Sequence, residues 1–280
     1  MAHTLGRILL TGAAGNLGRL IRPSLQASAA YLRLSDLASV AAPLHENEAF
    51  VACDLADRAA VGDMVAGIDT IIHMGGASQE QRFEPLLQSN LLGIYNLYDA
   101  ALAHGVRRVV YASSNHVTGY YESCDTVRPD MAMRPDSLYA ATKGFGELVA
   151  SFYWHRHGIE SVCLRIGSCT EHPKSQRAFA AWLSPHDLCE LVRCAVSAPT
   201  VGFTVVNGVS DNPVKWYEDD AARILGFSPR DSAADHAEEI NAKWPPLREG
   251  HLLQRWQAGN ILRQDYRLDG GIPPELENPV

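Results

Sequence analysis

Nothing in this chain of 280 residues reads as a membrane span, since no run approaches the eighteen or so apolar residues that a transmembrane helix needs. The opening MAHTLGRILLTG lacks a stretch long enough for the apolar core of a signal peptide, so a cytoplasmic location is expected. Basic charge is also short. Lys and Arg number 24 against 32 Asp and Glu, a formal net charge of -8, and a nucleic-acid partner would want the opposite balance to displace counterions from phosphates. None of the six cysteines, Cys53, Cys124, Cys163, Cys169, Cys189 and Cys194, belongs to a C-x-x-C pair, so neither a zinc nor a redox motif is suggested and reduced thiols are expected. The 11 histidines are scattered; His155 and His157, two apart, fall on different faces of a helix, and no metal site is expected. Internal repeats, low-complexity tracts and glycine/serine linkers are missing as well. What remains, 46% hydrophobic and 20% charged, is the composition of an ordinary globular protein.

Short β-branched or apolar runs alternate with longer helical stretches, the signature of βαβ units and a parallel sheet. Strands are expected at Arg7–Thr11, Tyr31–Ser35, Ala49–Cys53, Thr70–His73, Arg108–Ala112, Ser161–Arg165 and Phe203–Asn207. Apolar spacing predicts helices over Leu17–Gln26, Arg58–Val65, Phe83–His104, Leu138–His157 and His186–Ala198. After about Ser210 the alternation decays into NPVKWYEDDAARILGF, read as one more helix, and an irregular tail. The expectation is an α/β chain, a Rossmann-type doubly wound parallel sheet over residues 1–280 in a single domain. A small C-terminal substrate-covering region joins it, with covering elements mainly in 167–185 and 210–280.

LLTGAAGNLGRLI sets Gly12, Gly15 and Gly18 directly after the first strand and at the mouth of the first helix. Glycines there allow a tight turn, close backbone approach to a pyrophosphate and close helix packing, while the helix N-terminus offers unpaired N–H groups. The G-x-x-G-x-x-G spacing resembles the short-chain dehydrogenase/reductase superfamily, specifically its extended, epimerase-like branch. That resemblance makes Gly12, Gly15, Asn16, Leu17 and Gly18 cofactor-binding candidates. The second strand ends in YLRLSD, where the Asp36 carboxylate would accept hydrogen bonds from the adenosine ribose and repel a 2′-phosphate. With no arginine following it, NAD is favoured over NADP. CDLAD resembles the family's adenine-contacting strand end, which nominates Asp54 and Leu55, and HMGGAS resembles its turn over the cofactor.

YASSNHVTGYY follows the fifth strand, and YAATKGFGE opens the next long helix with Tyr139 and Lys143 four residues apart on one face. A phenol with a pKa near 10 is a poor base at neutral pH; the Lys143 ammonium and a positive nicotinamide ring both favour phenolate, and lowering the pKa by about three units takes about 4 kcal/mol. Tyr139 is therefore the candidate base, with Lys143 also reaching the nicotinamide ribose. Ser114, rather than Ser113, is the candidate to share the substrate oxygen, because the family's serine lies five residues before the motif glycine, here Gly119. Thr142 departs from the serine often found there.

From Gly167, the stretch RIGSCTEHPKSQRAFAAWLSPHDL reaches His186-Asp187-Leu188 after only about twenty residues, short for a lip that must cover a nucleotide-sugar. From Gly167 to His186 the sole arginine, Arg177, accompanied by Lys174, offers a planar fork suited to a carboxylate. Asn115 and His116 add polar groups beside Ser114, His116 as a hydrogen-bonding residue rather than a base, and Trp182 is expected to pack the lip. SSNHVTGYY, RIGSC and the lip together resemble uronate dehydrogenases, a small family inside the extended branch. The resemblance implies NAD-dependent oxidation of the C1 hydroxyl of a hexuronate, galacturonate or glucuronate, to an aldaro-lactone. It carries substrate contacts onto Ser78, Ser114, Asn115, Tyr139, Ser168 and Arg177. A small-molecule partner and a possible homo-oligomer are expected, with no nucleic acid and no membrane. Two readings compete: a nucleotide-sugar epimerase or dehydratase, and an NAD-binding regulatory protein without catalysis.

Overall fold

Strand β1 (Arg7–Thr11) buries Ile8, Leu9 and Leu10 together, and the alternation of its side chains feeds two separate apolar layers. Ile8 and Leu10 pack with Leu25 and Leu191 on one face, while Leu9 packs with Val61 and Leu97 on the other. A strand covered on both faces belongs inside a parallel sheet flanked by helices. The chain, a computed structural model in which residues 5–40, 44–218, 220–247, 251–264 and 267 are described, has that architecture.

The strands continue as β2 (Tyr31–Asp36), β3 (Glu48–Ala52), β4 (Thr70–His73), β5 (Arg108–Ser114), β6 (Glu160–Ile166), β7 (Ser168–Cys169), β8 (Trp182–Leu183) and β9 (Phe203–Gly208). Seven of them form one parallel sheet in the order β3-β2-β1-β4-β5-β6-β9, and β7 pairs with β8 in a small second ladder. The order reverses between β1 and β4, so a crevice opens beyond their C-terminal ends, where open α/β sheets bind ligands. Helices α1 (Asn16–Ser28) and α2 (Arg58–Val65) follow the first strands.

The helix expected over Phe83–His104 is interrupted. It runs as α3 (Phe83–Leu86), a π-helical segment (Leu87–Leu92) and α4 (Gly93–Ala103). The wider turn has a purpose: Asn90, buried on it, donates to the Ala77 carbonyl at 3.0 Å and to Thr142 Oγ1 at 2.9 Å, and accepts from the Ala77 amide at 2.8 Å. It thereby ties the loop after β4 to α5 (Leu138–His157). Helices α6 (Ala178–Ala181) and α7 (Pro185–Ser197) follow in the lip and beyond it.

Of the helix expected across NPVKWYEDDAARILGF, the described residues keep only α8 (Asp220–Ile224). Pro213, at the start of that stretch, is tolerated in a first helical turn, but Trp216 and Glu218 give their backbone groups to Val127, with Tyr217 bridged to it, and so cannot join a helix. Helices α9 (Ala237–Lys243) and α10 (Leu252–Arg255) complete the described C-terminal part. Of the covering stretch 210–280, residues 219, 248–250, 265–266 and 268–280 lie outside the described residues.

Helix α5 is bolted to the sheet by a buried ion pair. Arg165 of β6 donates to both Glu147 oxygens, at 3.0 and 2.8 Å, and Ser113 adds a third bond to Glu147 at 2.6 Å. Removing one member of such a pair strands a buried charge at about 3–5 kcal/mol. Glu147→Ala should therefore lower stability by that amount in denaturant titration, and Glu147→Leu combined with Arg165→Met should recover most of it.

Candidate active site

The crevice predicted by the strand order is a continuous cavity of about 1610 Å³, running from Asp36 at the β2 end to Arg177 in the lip. Its floor at one end is the glycine turn. Gly12 adopts φ +71, and a Cβ there would lie 2.6 Å from the backbone of Met74 and Gly75. Gly15 immediately precedes α1, whose first N–H groups receive no side-chain cap. Asn16 and Leu17 line the cavity beside them. Gly18 does not line it: it is buried, and a Cβ there would stand 2.1 Å from the Gly12 carbonyl oxygen. Gly18 is thus where α1 touches the turn, and the expectation that it faces the cofactor is corrected.

Asp36 is braced against this turn. Its carboxylate accepts from the Ala14 amide at 3.0 Å and the Ala38 amide at 3.2 Å. Asp54 accepts from the Ala56 amide at 2.9 Å, and Leu55 lies against Gly75 and Gly93; both line the same end. Bare helix amides, a turn that tolerates no Cβ and a carboxylate held at the edge suit the pyrophosphate and adenosine ribose of a dinucleotide.

At the centre, Ser114 ends β5, and Tyr139 and Lys143 face it from the first turns of α5, all three lining the cavity. Ser114 Oγ accepts from the His116 amide at 3.2 Å and sits near enough to the Tyr139 phenol to favour its ionised form, whereas Ser113 turns to Glu147. Lys143 Nζ donates to the Ala112 carbonyl at 2.9 Å and lies 5.9 Å from the Tyr139 ring centre. An ammonium has three N–H donors, so Lys143 retains capacity for ribose hydroxyls.

Without a cofactor, the electrostatics of this arrangement are set by burial. Burial pushes the Tyr139 phenol up to about 12, opposed by the Ser114 hydroxyl and reinforced by the Asp136 charge. Burial likewise pushes Lys143 down to about 8. Desolvation outweighs the mutual help that spacing suggested, and the nearby cation alone does not make Tyr139 a base at neutrality.

Several contacts that hold the site come from far along the chain. Glu80, buried, accepts from the amides of Leu138 at 3.1 Å and Tyr139 at 2.9 Å, while Ser137 Oγ accepts from the Ala140 amide at 3.0 Å. The α5 N-terminus is thus capped by a carboxylate from the β4 loop, in the favourable direction for the helix dipole. His116 Nδ1 pairs with Asp136 Oδ2 at 2.7 Å, and its ring lies edge-on to Tyr139 with centroids 6.5 Å apart. Asn115 Nδ2 donates to the hydroxyl of Tyr217 at 3.1 Å.

The lip end is built around Arg177. Its Nε donates to the Gln257 carbonyl at 2.6 Å and Nη1 to Ser168 Oγ at 3.2 Å, while Nη2 is buried without an acceptor. Ser78 and Ser168 are exposed within the cavity lining. Trp182 is buried with Ala178, Ala233 and Ile240, and its indole donates to the Thr170 carbonyl at 2.8 Å, which packs the lip as anticipated.

The profile of the NAD-dependent epimerase/dehydratase family matches residues 8–178, which takes in the glycine turn, Asp36, Tyr139, Lys143 and the start of the lip. The chain belongs to that family. Within it, a uronate dehydrogenase of Pseudomonas syringae pv. tomato is 44% identical over 249 residues, covering 88% of this chain and 90% of the relative. A mutant uronate dehydrogenase from Agrobacterium tumefaciens complexed with NAD superposes with a TM-score of 0.89 at 43% identity, covering 93% of this chain and 98% of its own. A glucuronic acid dehydrogenase from Chromohalobacter salexigens gives 0.91 at 42% identity, over 95% and 99% of the two chains. NAD is the cofactor of this family, and the cleft has the groups to hold it.

Two outcomes are expected. Glu80→Ala should lower the melting temperature and reduce kcat while leaving NAD affinity nearly unchanged, because it frees the backbone under Tyr139 and leaves the glycine turn alone. Glu80→Gln, which keeps an acceptor, should restore part of both. For Lys143, a folded-state pKa of about 8 against the ordinary 10.5 of a free lysine means that the unfolded chain binds the proton more tightly. Stability is therefore penalised below pH 8 and regained as pH rises towards 10.5, by about 3 kcal/mol in full. Ligand-free Lys143→Met should melt above the wild type at pH 7, and the advantage should shrink by pH 10.

Proposed function

We propose that this chain oxidises the C1 hydroxyl of a hexuronate, galacturonate or glucuronate, to the aldaro-lactone with NAD as acceptor. The observation that carries the acidic substrate is Arg177: a guanidinium fixed by Gln257 and Ser168 whose Nη2 is buried with no acceptor. Leaving such a donor unmet costs about 1–3 kcal/mol, so a carboxylate is the complement it lacks. The 44% identity to uronate dehydrogenases over 88% of the chain supports the same substrate class.

In the proposed reaction the C1–O–H proton passes to the Tyr139 oxygen while the Ser114 hydroxyl, beside that phenol in the cavity lining, donates to the substrate oxygen. NAD, when bound, supplies the acceptor for the hydride that leaves C1. Bringing a phenol held at about 12 to neutral pH requires about five units, about 7 kcal/mol, which the positive charges gathered around it in the loaded site must provide. Lys143 contributes its ammonium and orients the nicotinamide ribose. Asn115, held by Tyr217, together with Ser78 and Ser168, reads the sugar hydroxyls and ring. The bond count closes: one C–H and one O–H are broken, and the C1–O bond becomes the lactone carbonyl. A cytoplasmic location and self-association through the solvent-facing apolar side chains of α5, where Leu148 and Phe152 are 62% and 56% exposed, complete the reading.

Arg177 also supplies the test. Losing a charge-assisted contact of about 2–4 kcal/mol, Arg177→Ala should lower kcat/KM for galacturonate or glucuronate roughly 30- to 1000-fold while leaving NAD affinity nearly unchanged. Galactose and glucose should be poor substrates for the wild type and lose little more in the variant. Equal losses on charged and neutral sugars would make Arg177 a structural residue, and high wild-type activity on the neutral sugars would remove the uronate assignment.

A further inference from the structure

Away from the cofactor and sugar groups, the described residues contain two clusters with the composition of a metal site. They are His172 with His236 and Glu239, and His186 with Asp187 and Asp231; in each, one ligand atom per residue lies within 4.8 Å of the others. The second is committed to holding the chain together. Asp187 already accepts from the amides of Arg230 at 3.0 Å and Asp231 at 3.2 Å and from the Ser210 hydroxyl at 2.6 Å.

The first cluster is not committed in this way. Among the described residues, neither imidazole of His172 or His236 makes a hydrogen bond through its ring nitrogens. The two rings stand edge to face with centroids 5.5 Å apart. Glu239 already attracts a cation, accepting from Lys243 Nζ at 2.6 Å through a single oxygen. His172 is exposed on the lip, while His236 and Glu239 are half-buried around the start of α9. That placement joins two segments already in contact, since Gln176 of the lip donates to Asn241 Oδ1 at 2.8 Å and to the Trp244 carbonyl at 2.6 Å.

We propose that His172, His236 and Glu239 bind one late first-row divalent cation, of which zinc is the type, and that the ion staples the substrate lip to α9. Two imidazoles and a carboxylate are a ligand set that such cations accept, leaving a fourth position for water. Metal–ligand bonds of about 2.0–2.1 Å in a tetrahedron set the ligand atoms about 3.3 Å apart. The exposed His172 side chain can close the remaining gap by rotation. The ion would take no part in the hydride chemistry; its effect would be on the order of the lip that carries Ser168 and Arg177.

The test is calorimetric titration of zinc into the untagged full chain, followed by timed trypsin cleavage at Lys174, an exposed lip residue. One ion per chain is expected, with affinity falling at least tenfold in His172→Ala and in Glu239→Gln and unchanged in His186→Ala. His172 is exposed, so its substitution leaves the fold intact and keeps the result interpretable. Zinc should slow cleavage after Lys174 in the wild type and not in His172→Ala. Absence of binding, or wild-type affinity in His172→Ala, would overturn the site; binding that leaves cleavage after Lys174 unaltered would overturn the staple.

Discussion

Everything in the cleft depends on the position of the first turns of α5. Four buried polar contacts fix them: Glu80 on the amides of Leu138 and Tyr139, Lys143 on the Ala112 carbonyl, Asn90 on Thr142, and the Ser113–Glu147–Arg165 group one turn further along. Each partner comes from a different element, namely the β4 loop, β5, the π-helical segment and β6. The sheet thus acts as a jig that sets Tyr139 against Ser114. A shift of about 1 Å at the reacting atoms is expected to cost about a hundredfold in rate, which accounts for why so many buried polar groups converge on one helix.

The same anchoring creates the chemical difficulty that the cofactor must resolve. Burial places Tyr139 and Lys143 where charge is costly, and their pKa values move in opposite senses from the ordinary ones, Tyr139 up to about 12 and Lys143 down to about 8. The ligand-free site is therefore poor at taking a proton. Functional groups held in unfavourable states are the normal cost of preorganisation, and here that cost falls on the two residues to which the proposed reaction gives the proton transfer. Arg177 shows the same pattern at the lip, where its Nη2 is buried without an acceptor, the group that the proposed carboxylate would meet.

The parallel sheet and the glycine turn were legible in the sequence because both follow from local patterns: apolar runs of strand length, and three glycines at a strand-to-helix junction. Tyr139 and Lys143 were legible for the same reason, as neighbours four apart on one helix. The contacts that position them were not. Glu80 lies 58 and 59 residues from the amides it caps, and Tyr217 lies 102 residues from Asn115. No periodicity links such pairs. The π turn at Leu87–Leu92 left the apolar pattern of a helix intact and so could not be seen. The helix expected after Ser210 runs too long because Trp216 and Glu218 bond to Val127, far earlier in the chain, which no local spacing shows. Nor did spacing reveal how far burial raises the cost of charge on Tyr139 before a cofactor binds, because spacing reports proximity and not desolvation.

A hydride leaving C1 of an acidic sugar is the claim that joins the two ends of the cleft, from Asp36 to Arg177. The most direct measurement is the initial rate of NADH formation from glucuronate carrying deuterium at C1 alone, compared with glucuronate carrying it at C4 or C5 alone. The account predicts formation of NADH with all three, slowed only by deuterium at C1. No NADH from any of them, or slowing by deuterium at C4 instead, would contradict it.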